Sequence, residues 1–196
     1  MRQSFRTCAR LQTLRFILNE AYMLAMMTVI AAVLLAAMFM QYAHGELPCP
    51  LCLLQRVAML GVCFGLMQNF RHGFSDRNLG YSLLFSVFLL VVSIRQTLLD
   101  IYPRPGHEYV GSAVLGLHMP VWSILIAMAL ISAFAIKLCI IGTEDGAQPP
   151  NRMSLFGRAA AAVSLVVIAI AGVNFGSVVG QCGRGECHTT GYALLK

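Results

Sequence analysis

Residues 22–42 read YMLAMMTVIAAVLLAAMFMQY, an apolar run without a single Asp, Glu, Lys or Arg. Since the hydrocarbon core of a bilayer is about 30 Å thick and a helix rises about 1.5 Å per residue, a spanning helix needs about 20 such residues. Four later stretches have a comparable length and character, namely 51–69, 79–99, 121–141 and 159–179. Backbone N–H and C=O groups in lipid must be satisfied within their own segment, so these runs predict five transmembrane helices rather than strands.

The composition of the whole chain agrees with this prediction. Of its 196 residues, 58% are hydrophobic and 11% are charged, which leaves too little polar surface for a soluble globular protein. The net charge of +6 comes from basic residues spread singly along the chain, without the clustered patch typical of nucleic-acid binding. We therefore predict an all-α membrane protein with one integral membrane domain, 1–196, embedded in a lipid bilayer and without a nucleic-acid partner.

The basic residues also predict the orientation of the spans. Most of them lie before the first span or between spans that share one side: Arg2, Arg6, Arg10, Arg15, Arg71, Arg77, Lys137, Arg152 and Arg158. By the positive-inside rule this side, with the N-terminus, is cytoplasmic. Because the number of spans is odd, the C-terminus is expected in the periplasm. Residues 71–78 and 142–157 are expected to form polar connections, and the first run is too long for a signal peptide.

The seven cysteines divide between the two sides of this topology. Three fall on or near the inner side and are interpreted as packing residues or idle thiols: Cys8, Cys63 and Cys139. Four fall on the outer side in two close pairs, Cys49 with Cys52 and Cys182 with Cys187. A bacterial periplasm allows disulfides to persist, so the two outer pairs are the candidates for redox chemistry.

The pair within Cys49-Pro50-Leu51-Cys52 has the features of an exchanging disulfide. If the second span begins near Leu51, Cys52 lies in the first helical turn, where free N–H groups and the helix dipole favour a thiolate. Pro50 restricts the backbone of the small ring. A passive disulfide is the alternative, and copper handling also stays open. Zinc is disfavoured because only His44 lies nearby as a further ligand. No metal ligand is predicted.

Arg56 follows Cys52 by four residues and so lies on the same helix face, one turn deeper. A guanidinium inside an apolar span is costly and is therefore a functional candidate. It is expected to stabilise an anion, either the Cys52 thiolate or a reduced electron acceptor. A side chain that reaches back to the interface is the alternative. Gln55 either adds a hydrogen bond or faces another helix.

The stretch Cys49-Pro50-Leu51-Cys52-Leu53-Leu54-Gln55-Arg56 resembles the signature of the DsbB family, quinone-linked membrane proteins that generate disulfides in bacteria. Two further stretches are similar to the family: Leu98-Leu99-Asp100-Ile101-Tyr102-Pro103, and Leu115-Gly116-Leu117-His118-Met119-Pro120-Val121-Trp122. Together they bracket roughly residues 20–141. The resemblance implies a DsbB-like four-helix transmembrane bundle, to which this chain adds a fifth C-terminal helix.

The resemblance also implies an activity. Cys49 and Cys52 would pass two electrons to a membrane quinone, ubiquinone or menaquinone, with Cys52 nearest the ring and Arg56 and Gln55 beside it. The end of span three would contribute Arg95 or Gln96 to the quinone pocket. The protein partner would be a periplasmic thioredoxin-like oxidant of the DsbA type. The chain would thus be an enzyme of the bacterial inner membrane, a protein-disulfide-generating quinone oxidoreductase whose redox cysteines face the periplasm.

One departure from the family concerns the second cysteine pair, which the family carries between spans three and four. Residues 100–120 contain no cysteine here, whereas the chain ends with Cys182-Gly183-Arg184-Gly185-Glu186-Cys187-His188. We hypothesise that Cys182 and Cys187 replace the missing pair and relay electrons to Cys49 and Cys52. A static disulfide, a metal site and a covalent haem anchor are the alternatives for this tail.

Two other function classes stay open at this point. The outer cysteines of a metal-handling or assembly module would bind ions or form static disulfides. A related enzyme would run electrons outward, as a reductant carrier or a protein similar to vitamin K reductase.

Overall fold

The computed structural model describes residues 2–43, 45, 48–102, 113–114, 116–140 and 154–183, with side chains from Leu14 onward except at 113 and 114. Within these ranges it contains five helices and one short hairpin. The helices are α1 (Arg2–Ala43), α2 (Pro50–His72), α3 (Asp76–Ile101), α4 (Met119–Ile140) and α5 (Leu155–Cys182). The hairpin pairs β1 (Ala113–Val114) with β2 (Leu117–His118) in antiparallel register, just before α4.

All five helices are long and apolar enough to cross a membrane, the first of them over Leu14–Ala43. The predicted all-α membrane fold with five spans is therefore confirmed. The hairpin of β1 and β2 is an addition that the hydrophobic pattern did not indicate, because strands of two residues are too short to show a periodicity.

Several helix ends differ from the predicted spans. The predicted connection 71–78 is only 73–75, since α2 continues to His72 and α3 begins at Asp76. Basic residues in the last turn of α2 and Asp76 in the first turn of α3 both suit the helix dipole, so polar residues extend the helices beyond their apolar parts. Gly73, with a φ of 98°, follows the end of α2.

The fifth helix also extends beyond the predicted span. It begins at Leu155, where the Ser154 hydroxyl accepts a hydrogen bond of 3.0 Å from the Gly157 N–H. Residues 154–157 therefore belong to the start of α5, while the rest of the predicted connection, 142–153, lies outside the described residues. At its other end α5 includes Cys182, which was expected in the tail.

The helices pack in a defined order. α2 packs against α3 and α3 against α4, while α5 packs against α1 and α2. A continuous core fills the space between them, with Met27, Leu34, Val62, Leu66 and Leu89 almost fully buried. Large apolar side chains such as Leu84, Leu165 and Phe175 are exposed on the outer faces. This arrangement is expected for a bundle whose surroundings are hydrocarbon.

Helices α2 and α3 approach closely at Gly65. A Cβ atom there would lie 2.3 Å from Ser82 Oγ and 2.7 Å from the Asn78 carbonyl oxygen. Ser82 Oγ donates a hydrogen bond of 3.1 Å to the Val62 carbonyl across the same contact. This contact fixes the register of the two antiparallel helices and brings Gln96, near the end of α3, to the beginning of α2.

Candidate active site

The motif at residues 49–52 starts helix α2. Cys49 is the N-cap residue and Pro50 is the first helical residue, a position where proline loses no hydrogen bond. The Cys52 N–H donates a 3.1 Å hydrogen bond to Cys49 Sγ, and the Leu53 N–H donates one of 3.0 Å to the Cys49 carbonyl. Cys49 and Cys52 are both free thiols and half-buried. Both cysteines therefore lie at the start of one helix, where Cys49 Sγ accepts a hydrogen bond from the Cys52 N–H.

Gln96, from α3, is the side chain that joins the two sulfur atoms. Its Nε2 lies 3.2 Å from Cys52 Sγ and 3.4 Å from Cys49 Sγ, and the residue is buried. Its Oε1 accepts a 2.9 Å hydrogen bond from Gln55 Nε2, and Gln55 Oε1 accepts one of 3.1 Å from Ser123 Oγ. This chain of donors runs from α4 through α2 to α3. It fixes the orientation of the Gln96 amide, with its NH₂ group toward the sulfurs.

The two cysteines are electrostatically different. The hydrogen bond with Cys52, burial and the charge of Cys52 together raise the pKa of the Cys49 thiol. Cys49 therefore keeps its proton, and Cys52 carries any negative charge of the pair. The Gln96 amide, which contacts Cys52 Sγ, and the dipole at the beginning of α2 are placed to stabilise that charge.

Arg56 lies one turn deeper than Cys52, as expected, but its guanidinium binds α1. Nη1 donates a 2.5 Å hydrogen bond to Gln41 Oε1, and Nη2 donates one of 3.0 Å to the Ala37 carbonyl. The side chain is buried, so it does not reach back to the interface. Its positive charge still lies close enough to interact with Cys52 through space. Arg56 thus connects α1 to the redox motif.

Of the two candidates at the end of α3, Gln96 contacts the cysteines, whereas Arg95 is exposed on the outward face. Arg95 lines a shallow groove of about 570 Å³ together with Ile94, Leu98, Tyr102 and their neighbours on the same helix. A cation on the outward face of a spanning helix is suited to a polar group at the membrane surface.

The outer end of α5 lies against the loop that leads into the motif. Gln181 Nε2 donates a 2.9 Å hydrogen bond to the Pro48 carbonyl, and Tyr42 OH and Ser177 Oγ form a hydrogen bond further down the helix. Cys182, the last residue of α5, is disulfide-bonded, and its partner lies outside the described residues. Cys187 and His188 lie outside them as well.

Two further cysteines whose side chains the structure describes, Cys63 and Cys139, do not join the site. Cys63 is fully buried in α2, and Cys139 is exposed near the other end of α4. The side chain of Cys8 lies outside the described residues. Across the part of the chain that the structure describes, there is no group of three or more His, Cys, Asp or Glu side chains able to hold a metal ion.

Four site residues were missed by sequence reasoning: Tyr42, Gln41, Ser123 and Gln181. Each is a polar side chain near the outer end of an apolar helix, and this position was the available signal. The hydrophobic pattern alone does not say which face of a helix meets which neighbour, so the partners of these side chains were not predictable.

Comparison with known proteins agrees with this geometry. The family model for "Disulfide bond formation protein DsbB" matches residues 19–108, which include α2, α3 and the whole redox motif. A disulfide bond formation protein B of Cupriavidus metallidurans is 27% identical over 149 residues, with 61% of this chain and 92% of the relative covered. The protein of the same name from Aromatoleum aromaticum is 28% identical over 155 residues, with 61% and 92% covered.

No solved structure matches the chain. The family model ends before α4 and α5, so its match does not include the fifth helix. By the matched stretch and the two relatives, the chain is similar to the DsbB family of disulfide bond formation proteins.

Proposed function

We propose that the chain is a membrane thiol oxidase that re-oxidises a periplasmic thioredoxin-like protein and passes the electrons through Cys49 and Cys52 to a quinone. The observation that carries the proposal is the pairing of both sulfurs with one buried amide donor at the beginning of a spanning helix. A dithiol placed there meets a water-soluble protein from one side and a lipid-soluble acceptor from the other.

The proposed reaction balances without a further reactant. Oxidation of two thiols to one disulfide releases two electrons and two protons, and a quinone takes up both to become a quinol. In the chain itself, Cys49 holds a proton and Cys52 holds the negative charge until they join. Gln96 stabilises the charged sulfur, while Gln55 and Ser123 keep the Gln96 amide in the required orientation.

The residues present fit a quinone. Cys52 is half-buried and so not fully enclosed by the bundle, as contact with a planar ring requires. Exposed apolar side chains on the neighbouring helices, among them Leu54 and Leu98, suit the apolar chain of a lipid-soluble acceptor. Arg56 supplies positive charge nearby. Gln55 Nε2 donates a hydrogen bond to Gln96, and Gln55 Oε1 accepts one from Ser123. We therefore assign Gln55 to positioning of Gln96 rather than to direct contact with the quinone.

We further propose that Cys182 and Cys187 receive the electrons from the protein substrate. Support comes from the end of α5, where Gln181 next to Cys182 binds Pro48 next to Cys49. If changing Cys182 and Cys187 to serine leaves oxidation of the thioredoxin-like protein unchanged, the second pair is a static disulfide.

The central proposal is tested by an anaerobic assay of quinone absorbance. Purified protein is mixed with a reduced thioredoxin-like protein and a ubiquinone analogue. Wild type should reduce the quinone, and Cys52→Ala should lose the activity. Cys139→Ala is the matched control, because Cys139 is a free cysteine exposed near the opposite end of the bundle, and it should keep the wild-type rate. Quinone reduction that survives in Cys52→Ala would rule out the proposed route.

A further inference from the structure

The hydrogen bond between Gln181 and Pro48 joins two elements that are far apart in the sequence. Gln181 and Pro48 are both buried residues. Gln181 Nε2 lies 2.9 Å from the carbonyl oxygen of Pro48. Pro48 directly precedes Cys49, and Gln181 directly precedes Cys182. The bond therefore connects the backbone beside one redox cysteine to the residue beside another.

A second bond fixes the same helix end. Tyr42, close to the end of α1, shares a hydrogen bond with Ser177, which precedes Gln181 by four residues and so lies on the same face of α5. A buried amide is costly unless it is paired, so the Gln181 contact resists sliding or rotation of α5, and the Tyr42–Ser177 contact adds a second attachment. Together they fix the height and the rotation of the last turn of α5 against the loop before α2.

These two hydrogen bonds limit the distance between Cys182 and Cys49. The hydrogen bond and the covalent bond lengths along the path through Gln181 and Pro48 sum to about 17 Å, which is the upper limit on the distance between the Cα atoms of Cys49 and Cys182. Within the Cys49–Cys52 pair, the path leads to Cys49, because Pro48 directly precedes it. Gln96 Nε2 lies slightly closer to Cys52 Sγ, at 3.2 Å, than to Cys49 Sγ, at 3.4 Å.

We propose that Gln181 is a positioning residue, which holds the disulfide of Cys182 beside Cys49 so that electrons enter the redox motif at Cys49. The proposal rests on the proposed function. In the step, a thiolate of the reduced C-terminal pair attacks Cys49 Sγ and breaks the Cys49–Cys52 disulfide. The electron pair of that bond leaves with Cys52. The second C-terminal thiol then loses its proton and displaces Cys49, which takes up a proton, and the C-terminal disulfide forms again.

The test compares two reductants on the full-length protein. Gln181→Met keeps the volume of the side chain but removes the donor. With the reduced thioredoxin-like protein as the electron source, quinone reduction should fall by about threefold to tenfold, the change expected from one lost buried hydrogen bond. With dithiothreitol, a small dithiol that reduces the Cys49–Cys52 disulfide without docking, the rate should stay at the wild-type value.

Asn174→Leu is the control on the same helix. Asn174 is buried two turns before Gln181, and among the described residues its Oδ1 has no hydrogen-bond partner. This variant should leave both rates unchanged. As a second measurement, Cys52→Ala should accumulate a mixed disulfide between Cys49 and the C-terminal pair, detected by mass spectrometry, and adding Gln181→Met should lower its yield.

Each other outcome overturns the proposal. Equal rates in Gln181→Met and wild type with both reductants would show that the bond positions nothing in the reaction. A fall with both reductants would place the role of Gln181 in the stability of the site or the fold. A wild-type protein that reduces no quinone with dithiothreitol would instead refute the proposed function, and this inference with it.

Discussion

Gln96 gives both sulfur atoms of the pair a hydrogen-bond donor that does not titrate. Thiol and thiolate sulfurs accept hydrogen bonds better than the sulfurs of a disulfide, so this donor stabilises the reduced state relative to the oxidised state. Its effect depends on the orientation of the amide, which Gln55 determines. If Cys49 and Cys52 act as proposed, this one buried amide helps to set how readily they give up electrons.

Replacing Gln96 by leucine should shift the Cys49–Cys52 equilibrium toward the disulfide. Two N–H···S contacts of the reduced form are lost, so the equilibrium with a glutathione redox buffer should move by about threefold to tenfold. Gln55 also loses its acceptor, which should lower the free energy of unfolding by about 1–3 kcal/mol. Titration with alkylation of free thiols measures the equilibrium.

Thr97→Val is the control for this change. The Thr97 hydroxyl donates to the Ser93 carbonyl of its own helix, so its loss removes a polar group from the same turn without touching the sulfurs. If Thr97→Val shifts the equilibrium as far as Gln96→Leu does, the effect comes from α3 in general and not from the amide.

At the scale of elements, the contact between α2 and α3 determines where Gln96 lies. Helices in lipid approach closely where one of them carries a small residue, and Gly65 meets the backbone of α3 at Asn78 and Ser82. Ser82 Oγ adds a hydrogen bond across the contact to Val62. Because both helices are rigid, a shift at Gly65 is transmitted along the bundle to the cysteines.

Gly65→Ala should therefore destabilise the protein. The added methyl group would lie under 3 Å from backbone atoms of α3, and the resulting separation of the helices should lower the free energy of unfolding by about 1–3 kcal/mol. Gly80→Ala is the matched control. A Cβ atom there meets nothing within 4 Å, and alanine favours a helix, so this variant should not be destabilised. Unfolding by sodium dodecyl sulfate measures both. Equal stability of the two variants would contradict the role given to this contact.

At the scale of the whole molecule, the ends of the bundle differ in chemistry. The end with the α2–α3 connection carries the exposed residues Arg71, His72 and Arg77. The opposite end carries the redox motif and Gln181. Since basic residues flanking short connections stay in the cytoplasm, we expect the redox end to face the periplasm.

Reporter fusions test this orientation. Alkaline phosphatase, which is active only after export, should be inactive when fused after Phe74 and active when fused after the last residue of the chain. The opposite pattern of activities would reverse the orientation and place the cysteines on the cytoplasmic side. The same activity at both sites would contradict an odd number of spans.

The sequence by itself determined the helical membrane class of the protein, the five helices long enough to span a bilayer and the position of the Cys49–Cys52 motif. Apolar length is a local property, and so is the spacing of two cysteines with an arginine one turn later. Helix ends were less predictable, because polar residues such as His72 and Asp76 continue a helix once its dipole favours them. The length and the apolar character that a membrane span needs can therefore be predicted from the sequence of that span alone.

Only the tertiary structure decided which side chains meet. Arg56 lies one turn below Cys52, as the spacing predicts, but only the structure shows that its guanidinium binds α1 and that Gln96 contacts the sulfurs directly. The bond from Gln181 to Pro48 joins residues 133 positions apart. Such contacts depend on the rotation and height of each helix against its neighbours. Those are set by packing at places such as Gly65, which no pattern within one span reveals.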